Sequence, residues 1–436
     1  MKYIAILGRQ PALGLAELEV LCGHENTALF SPTTTTFDSS DPLDVQRLGG
    51  SIKLGEIVFE SSETHWNELS KKIVRHYTDL WRSVDHKITL GISVYDWRLS
   101  PRDVQKTGIV LKQSLKKQGV SLRVVPNNDL ALNSAASHHN KLGLSPNKVE
   151  LIIARHGKRV IVAESTGAQN ITALAARDQD RPKRDAFVGM LPPKLAMMMI
   201  NLSGIASSPS SFSKTASRLT SVENASASDR AADVLENEIA SGSFTPAQSG
   251  EKATKKTILD PFCGTGVLLQ EALLLGFDAY GTDLSDKMID YSEQNLAWLK
   301  DKYHLDGNVR LHQGDAMNTT WQPPIDAVVG ETYLGQPFSA PPRPQKLEEV
   351  RGNCNHILKQ FLANLAPQIA PGTPLCLAVP AWRDDHGRTT HLPLIGQLDT
   401  LGYERISLAH TPDHQLIYYR EDQIVARQLL LLRRKG

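Results

Sequence analysis

Cysteine is scarce. The chain has four in 436 residues, Cys22, Cys263, Cys354 and Cys376, and none stands in a C-x-x-C pair. That spacing excludes a disulfide framework and a zinc ribbon, and it predicts a reducing compartment, the cytoplasm. Long apolar runs are also missing, so no stretch reaches the ~20 residues a membrane-spanning helix needs. The opening MKYIAILGRQPALG has one lysine and a short apolar run, unlike a secretory signal. Net charge is nearly absent at +1, from 48 Lys+Arg against 47 Asp+Glu. With 41% hydrophobic and 22% charged residues, the composition excludes wholesale disorder and a collagen-like chain. There is no internal repeat, and the length predicts two or three domains.

What is present falls into three blocks. Residues 2–7 read as a strand and 12–22 as a helix, with strands near 27–37 and 52–60; this is a small α+β unit over residues 1–62. A second unit, 63–167, is predicted to hold a helix at Glu68–Trp81, a strand at Ile88–Tyr95 and a helix from Pro101 to Lys117. It continues with a strand at Val120–Val125, a helix at Leu132–Leu142 and a hairpin at Glu150–Glu164 turning on Gly157. A connector over 168–190 carries RDQDRPKRD. A helix is expected at Leu191–Ser203, and 205–254, rich in Ser, Ala, Thr and Asn, reads as a mobile insert with one helix at Ala231–Ala240. From Thr257 onward strands alternate with helices (among them Lys287–Asp301, Glu348–Ile369 and Pro393–Leu401), and Gln415–Tyr419 with Val425–Leu432 form a closing hairpin. That alternation predicts an α/β domain over 191–436, with a parallel, doubly wound sheet and an antiparallel hairpin at its end.

The chemistry is densest in this last block. Ile258-Leu259-Asp260-Pro261-Phe262-Cys263-Gly264-Thr265-Gly266 is a strand ending in a carboxylate, a glycine-rich turn and the start of a helix. Glycines let backbone approach a ligand, and a helix N-terminus offers free N–H groups. The Lys-Ser/Thr pair of a P-loop is missing. A second strand ends in Gly281-Thr282-Asp283, where a carboxylate can grip ribose hydroxyls or, equally, cap the next helix. A third ends in Gly314-Asp315-Ala316, placed to meet an adenine amino group. Three acidic strand ends in order point to S-adenosylmethionine rather than a dinucleotide or a purely structural domain. Asp260, Phe262, Gly264, Thr265, Gly266, Asp283, Leu284, Asp315 and Ala316 are the candidate cofactor residues.

Charge is uneven. From Arg98 to Arg159 there are twelve Lys/Arg against three acids, Asp103, Asp129 and Glu150. Arg98, Arg102, Lys106, Lys112, Lys116, Lys117, Arg123, Lys141 and Arg155 are candidates for contact with RNA phosphates. Arg177, Arg181, Lys183 and Arg184 in the connector stand beside Asp178, Asp180 and Asp185, and read as ion-pairing residues. His138 and His139 read as surface or half-buried, Met197–Met199 as packing and Cys263 as a small filler.

DPFCGTG, GTD, GDA and the closing hairpin resemble the Rossmann-like class I methyltransferase fold. LGRQPALGLAELEVL, SAASHHNKLGL, VIVAESTGAQNITALAARDQDRPKRD and GMLPPKLAMMMINLSG resemble the THUMP-domain tRNA guanosine-N2 methyltransferases that act on the tenth nucleotide of tRNA. The resemblance covers most of the chain outside 205–254. It implies a ferredoxin-like domain (1–62), a THUMP RNA-binding domain (63–167), a linker (168–190) and a catalytic domain (191–436). It also implies that Pro192, Pro193, Lys194 and Asn201 line the methionine end of the cofactor. Where the family has Asp-Pro-Pro-Tyr-Gly, this chain has Glu331-Thr332-Tyr333-Leu334-Gly335. Glu331 and Tyr333 are the candidate catalytic residues: a carboxylate to accept hydrogens from an exocyclic amine, and a ring to stack on a flipped-out base. Pro337, Pro341, Pro342 and Pro344 are expected to stiffen the rest of the loop. The altered motif leaves two alternatives, an N6-adenine methyltransferase acting on RNA or DNA, and a tRNA-binding protein with weak or lost catalysis. Transfer from a sulfonium needs no metal, so none is expected. A monomer binding tRNA and no membrane is expected. Eukaryotic members of the family need a small partner protein and archaeal members do not; the sequence does not choose.

Overall fold

A computed structural model describes residues 1–185, 191–205, 255–338, 340–384, 386–421 and 423–436. The expected insert beyond Ile205, with its helix at Ala231–Ala240, lies outside the described residues. Among the described residues, one compact unit holds 1–178, 193–205 and 406–429; a second holds 179–192, 255–405 and 430–436.

The first unit is built on one eight-stranded sheet. In chain order its elements are β1 (Lys2–Leu7), α1 (Pro11–Cys22), β2 (Thr27–Ser31), β3 (Thr34–Asp38), β4 (Ser51–Ser61), α2 (Trp66–Leu80), β5 (Ile88–Tyr95), α3 (Pro101–Lys116), β6 (Leu122–Val124), α4 (Ser134–His139), β7 (Lys148–His156), β8 (Arg159–Ala168), α5 (Ile171–Gln179) and α6 (Pro193–Leu202). The strand order is β2-β3-β1-β4-β8-β7-β5-β6, so the strands expected in the first two domains run in a single sheet, joined where β4 pairs β8. Trp66, Leu69, Ile73 and Tyr77 on α2 and Val104, Leu111 and Leu115 on α3 recur at helical spacing and close over β5. Ser100 caps α3, accepting the Asp103 N–H at 3.2 Å, and Pro101 fills a first-turn position that has no partner for an N–H. Gly157, at φ +59°, turns the β7–β8 hairpin as expected.

The second unit is the doubly wound α/β domain. Its elements are β9 (Thr257–Asp260), α7 (Val267–Leu274), β10 (Asp278–Asp283), α8 (Asp286–Tyr303), β11 (Val309–Gln313), β12 (Ala327–Glu331), α9 (Pro344–Leu365), β13 (Pro374–Arg383), β14 (Thr389–Thr390) and β15 (Tyr403–Arg405). In chain order, β16 (Ile417–Tyr418), within the 406–429 stretch, and β17 (Val425–Arg434), which begins in it, follow. The order is β11-β10-β9-β12-β13-β17-β15, with the strands from β11 to β13 paired in parallel and β15–β17 and β16–β17 antiparallel. The order reverses between β9 and β12, which opens a crevice at the carboxyl ends of the strands.

Four local expectations change. Pro393–Leu401 is a 3₁₀ helix rather than an α-helix. The helix expected at Leu132–Leu142 is confined to Ser134–His139, where Asn133 caps it by accepting the Ala136 N–H. Pro344 belongs to the first turn of α9 and not to the loop, because a proline is well placed at a helix start. The connector holds a helix, α5, that its charged sequence did not announce.

Candidate active site

The crevice is a pocket of about 690 Å³ at the carboxyl edge of the second unit's sheet. Every candidate cofactor residue from Asp260 to Ala316 except Gly266 lines it, together with Glu331 and Tyr333.

Asp260 ends β9 and is fully buried, accepting the Phe262 N–H at 3.1 Å. Burial, with the nearby Asp283 and Glu331 charges, holds its carboxyl well above the usual range. The turn that follows needs its glycines. Gly264 has φ +52° and Gly266 φ +82°, and a Cβ on Gly266 would lie 2.9 Å from Ser292 Oγ. The turn is tied on both flanks: the Gly264 N–H donates to Asp283 Oδ2 at 3.0 Å, and Ser292 Oγ donates to the Gly264 carbonyl at 2.8 Å. Asp283 is therefore locked in orientation, its other oxygen accepting the Ser285 N–H at 2.9 Å. Its carboxyl is raised, chiefly by burial. Asp315 accepts the Met317 N–H at 2.9 Å, and the Ala316 carbonyl accepts from Asn364 at 3.1 Å. Leu284 lies on the rim, 69% exposed.

The loop that carries Glu331 and Tyr333 leaves the central strand β12. Gly330 is required there: a Cβ would sit 2.6 Å from Asp260 Oδ1. Glu331 follows, half-buried at the strand end. Thr332 pins the chain to β13, its N–H and hydroxyl both donating to the Ala378 carbonyl at 2.9 and 3.2 Å. Neither of the family's prolines could make the first bond. Tyr333 is left 43% exposed on the pocket lining. Gly335, at φ +83°, lets the loop fold against Val350 and Cys354 of α9. The pocket is completed by Leu191, from the GMLPP stretch, and by residues that motifs did not mark, among them Leu268, Asn353 and Ile357. The last three come from helix faces, where no spacing rule flags a pocket residue.

Pro193 and Lys194 open α6 in the first unit, where burial lowers the Lys194 ammonium. The Lys194 carbonyl is packed against Gly49, where a Cβ would lie 2.0 Å from it. Asn201, fully buried on the same helix, donates to Glu17 Oε1 at 2.8 Å and to the Arg47 carbonyl at 2.9 Å. The basic candidates are also in the first unit. Arg98, Arg102, Lys106, Lys112, Lys116, Lys117, Arg123 and Lys141 are exposed. Arg155 is half-buried, its guanidinium 4.9 Å from the Trp97 ring centre. Glu150, one of the three acids in that stretch, is fully buried and paired with Lys53, so it does not oppose the surface charge. His138 is half-buried, His139 exposed, and Met197–Met199 and Cys263 are buried. Among the described residues, no cluster of His, Cys, Asp and Glu could hold a metal ion, and no helix is long and apolar enough to cross a membrane.

Residues 252–368 match the family model of a methyltransferase domain. With the parallel sheet and the acidic strand ends, this makes the second unit a class I methyltransferase domain, the class whose methyl donor is S-adenosylmethionine. The chain is similar to the tRNA (guanine(10)-N2)-dimethyltransferase of Methanothermobacter thermautotrophicus, 30% identical over 136 residues, which are 31% of this chain and 36% of that protein. It is also similar to the probable tRNA (guanine(10)-N2)-dimethyltransferase of Methanothermococcus thermolithotrophicus, 29% identical over 106 residues, 24% of this chain and 64% of the relative. The chain thus matches 36% of the length of the first relative and 64% of the second. The crystal structure of TrmN from Thermus thermophilus aligns over 100% of both chains at 13% identity, with a TM-score of 0.48.

The pocket fits the donor. Its volume lies in the range of small-molecule sites, and the glycine turn, Asp283 and Asp315 line it in the order of a nucleoside site.

Proposed function

We propose that the protein is an S-adenosylmethionine-dependent tRNA methyltransferase that methylates the exocyclic N2 of a guanosine, at position 10. The observation that supports this most is that Asp260, Asp283, Asp315 and Glu331, far apart in sequence, line one pocket with Tyr333 at its rim. Asp283 would hold the ribose hydroxyls, Asp315 and Ala316 would meet the adenine, and the glycine turn would serve the methionine end. When bound, the cofactor supplies an electrophilic methyl group on a sulfonium.

The residues of the chain do the rest. The guanine N2 lone pair is delocalised into the ring, so the nitrogen is a poor nucleophile. The Glu331 carboxylate accepts its hydrogens, localises the lone pair and takes up the proton released. Tyr333 stacks on the base once it is flipped out of its helix. Thr332 fixes the direction from which both act, and orientation supplies much of the rate. The first unit binds the tRNA: α3 exposes Arg102, Lys106, Lys112 and Lys116, with Lys117 just beyond. The protein works in the cytoplasm as a monomer. Methyl transfer from labelled S-adenosylmethionine to unmodified tRNA, followed by digestion to nucleosides, tests the reading. Labelled N2-methylguanosine is expected. Label in N6-methyladenosine would replace the substrate, and no label with tRNA bound would remove the catalysis.

A further inference from the structure

The connector that reaches the second unit is bonded to the glycine turn through one side chain. Lys183 places both its backbone groups on Asn295 of α8. Its N–H donates to Asn295 Oδ1 at 2.9 Å, and its carbonyl accepts from Asn295 Nδ2 at 3.0 Å. The second hydrogen of the same amide goes to the carbonyl of Thr265, within the glycine turn, at 2.8 Å. Asn295 is fully buried, and its bond to Thr265 is made away from water. Two ion pairs lay the connector along the same helix, Asp185 with Lys287 at 2.8 Å and Asp180 with Lys302 at 3.5 Å. The ammonium groups of Lys183 and Lys287 lie 5.4 and 5.2 Å from the Tyr291 ring centre.

An asparagine amide can rotate about its last bond. Here two of its three hydrogen bonds go to the backbone of one connector residue, which fixes the plane of the amide. The third then holds the Thr265 carbonyl toward α8, beside the Gly264 carbonyl already held by Ser292. In a planar trans peptide the N–H points opposite to the carbonyl. With the Gly264 carbonyl turned to α8, the Thr265 N–H is turned away from that helix, and Thr265 lines the pocket. We propose that Asn295 is a positioning residue for the cofactor turn, and that the connector backbone at Lys183 is a working part of the cofactor site. The inference rests on the reading of the pocket as an S-adenosylmethionine site.

Two variants of the full chain test it. Lys183→Pro removes the N–H that Asn295 accepts, in a non-helical stretch that already follows Pro182. Asn295→Asp keeps the shape but turns a two-donor amide into an acceptor facing two carbonyls. S-adenosylmethionine affinity, measured by titration calorimetry, is expected to fall about tenfold in either variant that folds. KM for the cofactor should rise in step, while kcat at saturating cofactor and the Kd for tRNA stay within about twofold. A merely structural role would instead lower kcat with the active fraction and leave that KM unmoved. Unchanged cofactor affinity in folded Lys183→Pro overturns the inference. Absence of cofactor binding by the unaltered protein overturns the function reading and this inference with it.

Discussion

Gly330 is the residue on which the two halves of the pocket meet. Asp260 Oδ1 occupies the space a side chain at 330 would take, just before the strand delivers Glu331. Gly330→Ala is expected to push the Asp260 carboxyl aside and weaken S-adenosylmethionine binding about tenfold or more, as read by calorimetry. Wild-type affinity would mean that Asp260 is dispensable there. Residues of this kind were partly legible. Asp260, Asp283, Asp315 and Glu331 stand out because each lies at or just past the end of a strand with a glycine within four residues, and such strand ends in a parallel sheet gather at one edge. Asn295 and Asn353 were not legible. A helix presents polar residues on several faces, and only tertiary packing decides which of them meets a loop. Glu17 shows the same limit. It sits among apolar residues of α1, yet it accepts the N–H groups of Gly49 and Gly50 at 2.9 and 2.8 Å and the Asn201 amide at 2.8 Å. Burial outweighs those bonds and raises its carboxyl from 4.5 to about 7. The folded state thus binds this proton more tightly than the unfolded chain does. The associated stability is complete below about pH 4.5 and is lost as pH rises through 7. Between about pH 4.5 and 8 the protein should lose on the order of 3 kcal/mol relative to Glu17→Gln in denaturant unfolding. Parallel pH curves for the two would contradict this.

At the scale of elements, periodicity located helices and strands but not their ends or hydrogen-bond type. Leu394 and Leu398, the buried pair in Pro393–Leu401, fit an α-helix from sequence, but the segment winds as 3₁₀. α3 was the more readable element because its cap, its first-turn proline and its apolar stripe agree. Its opposite face carries the charge. Lys112, Lys116 and Lys117 are exposed on one end of the helix and the turn after it, beside Val110 and Gln113. Replacing all three with alanine is expected to weaken tRNA binding at low salt and to reduce the slope of log affinity against log salt by about two to three. Filter binding over a salt series measures this. An unchanged slope would place the RNA elsewhere.

At the scale of the whole molecule, pairings distant in sequence were the least legible. The eight-stranded sheet joins β4 to β8 across about a hundred residues, and 193–205 and 406–429 return to the first unit although their neighbours in sequence lie in the second. No local pattern announces such returns. The same sheet buries an ion pair: Lys53 on β4 bonds Glu150 on β7, and Ser93 and the Leu132 carbonyl share the bonds, at 2.6 Å from Ser93 to Glu150 and 2.7 Å from Lys53 to Leu132. Glu150→Ala would strand the Lys53 ammonium in the core. It is expected to cost about 3–5 kcal/mol in denaturant unfolding, whereas a loss below about 1 kcal/mol would mean that water reaches the site. The account of function turns on Glu331 standing in for the family's aspartate. Its most direct test is the single-turnover rate of methyl transfer to tRNA by Glu331→Gln, with cofactor and tRNA affinities measured on the same preparation. The account predicts a rate at least about a hundredfold below that of the unaltered protein, with both affinities unchanged. A rate equal to that of the unaltered protein would contradict it.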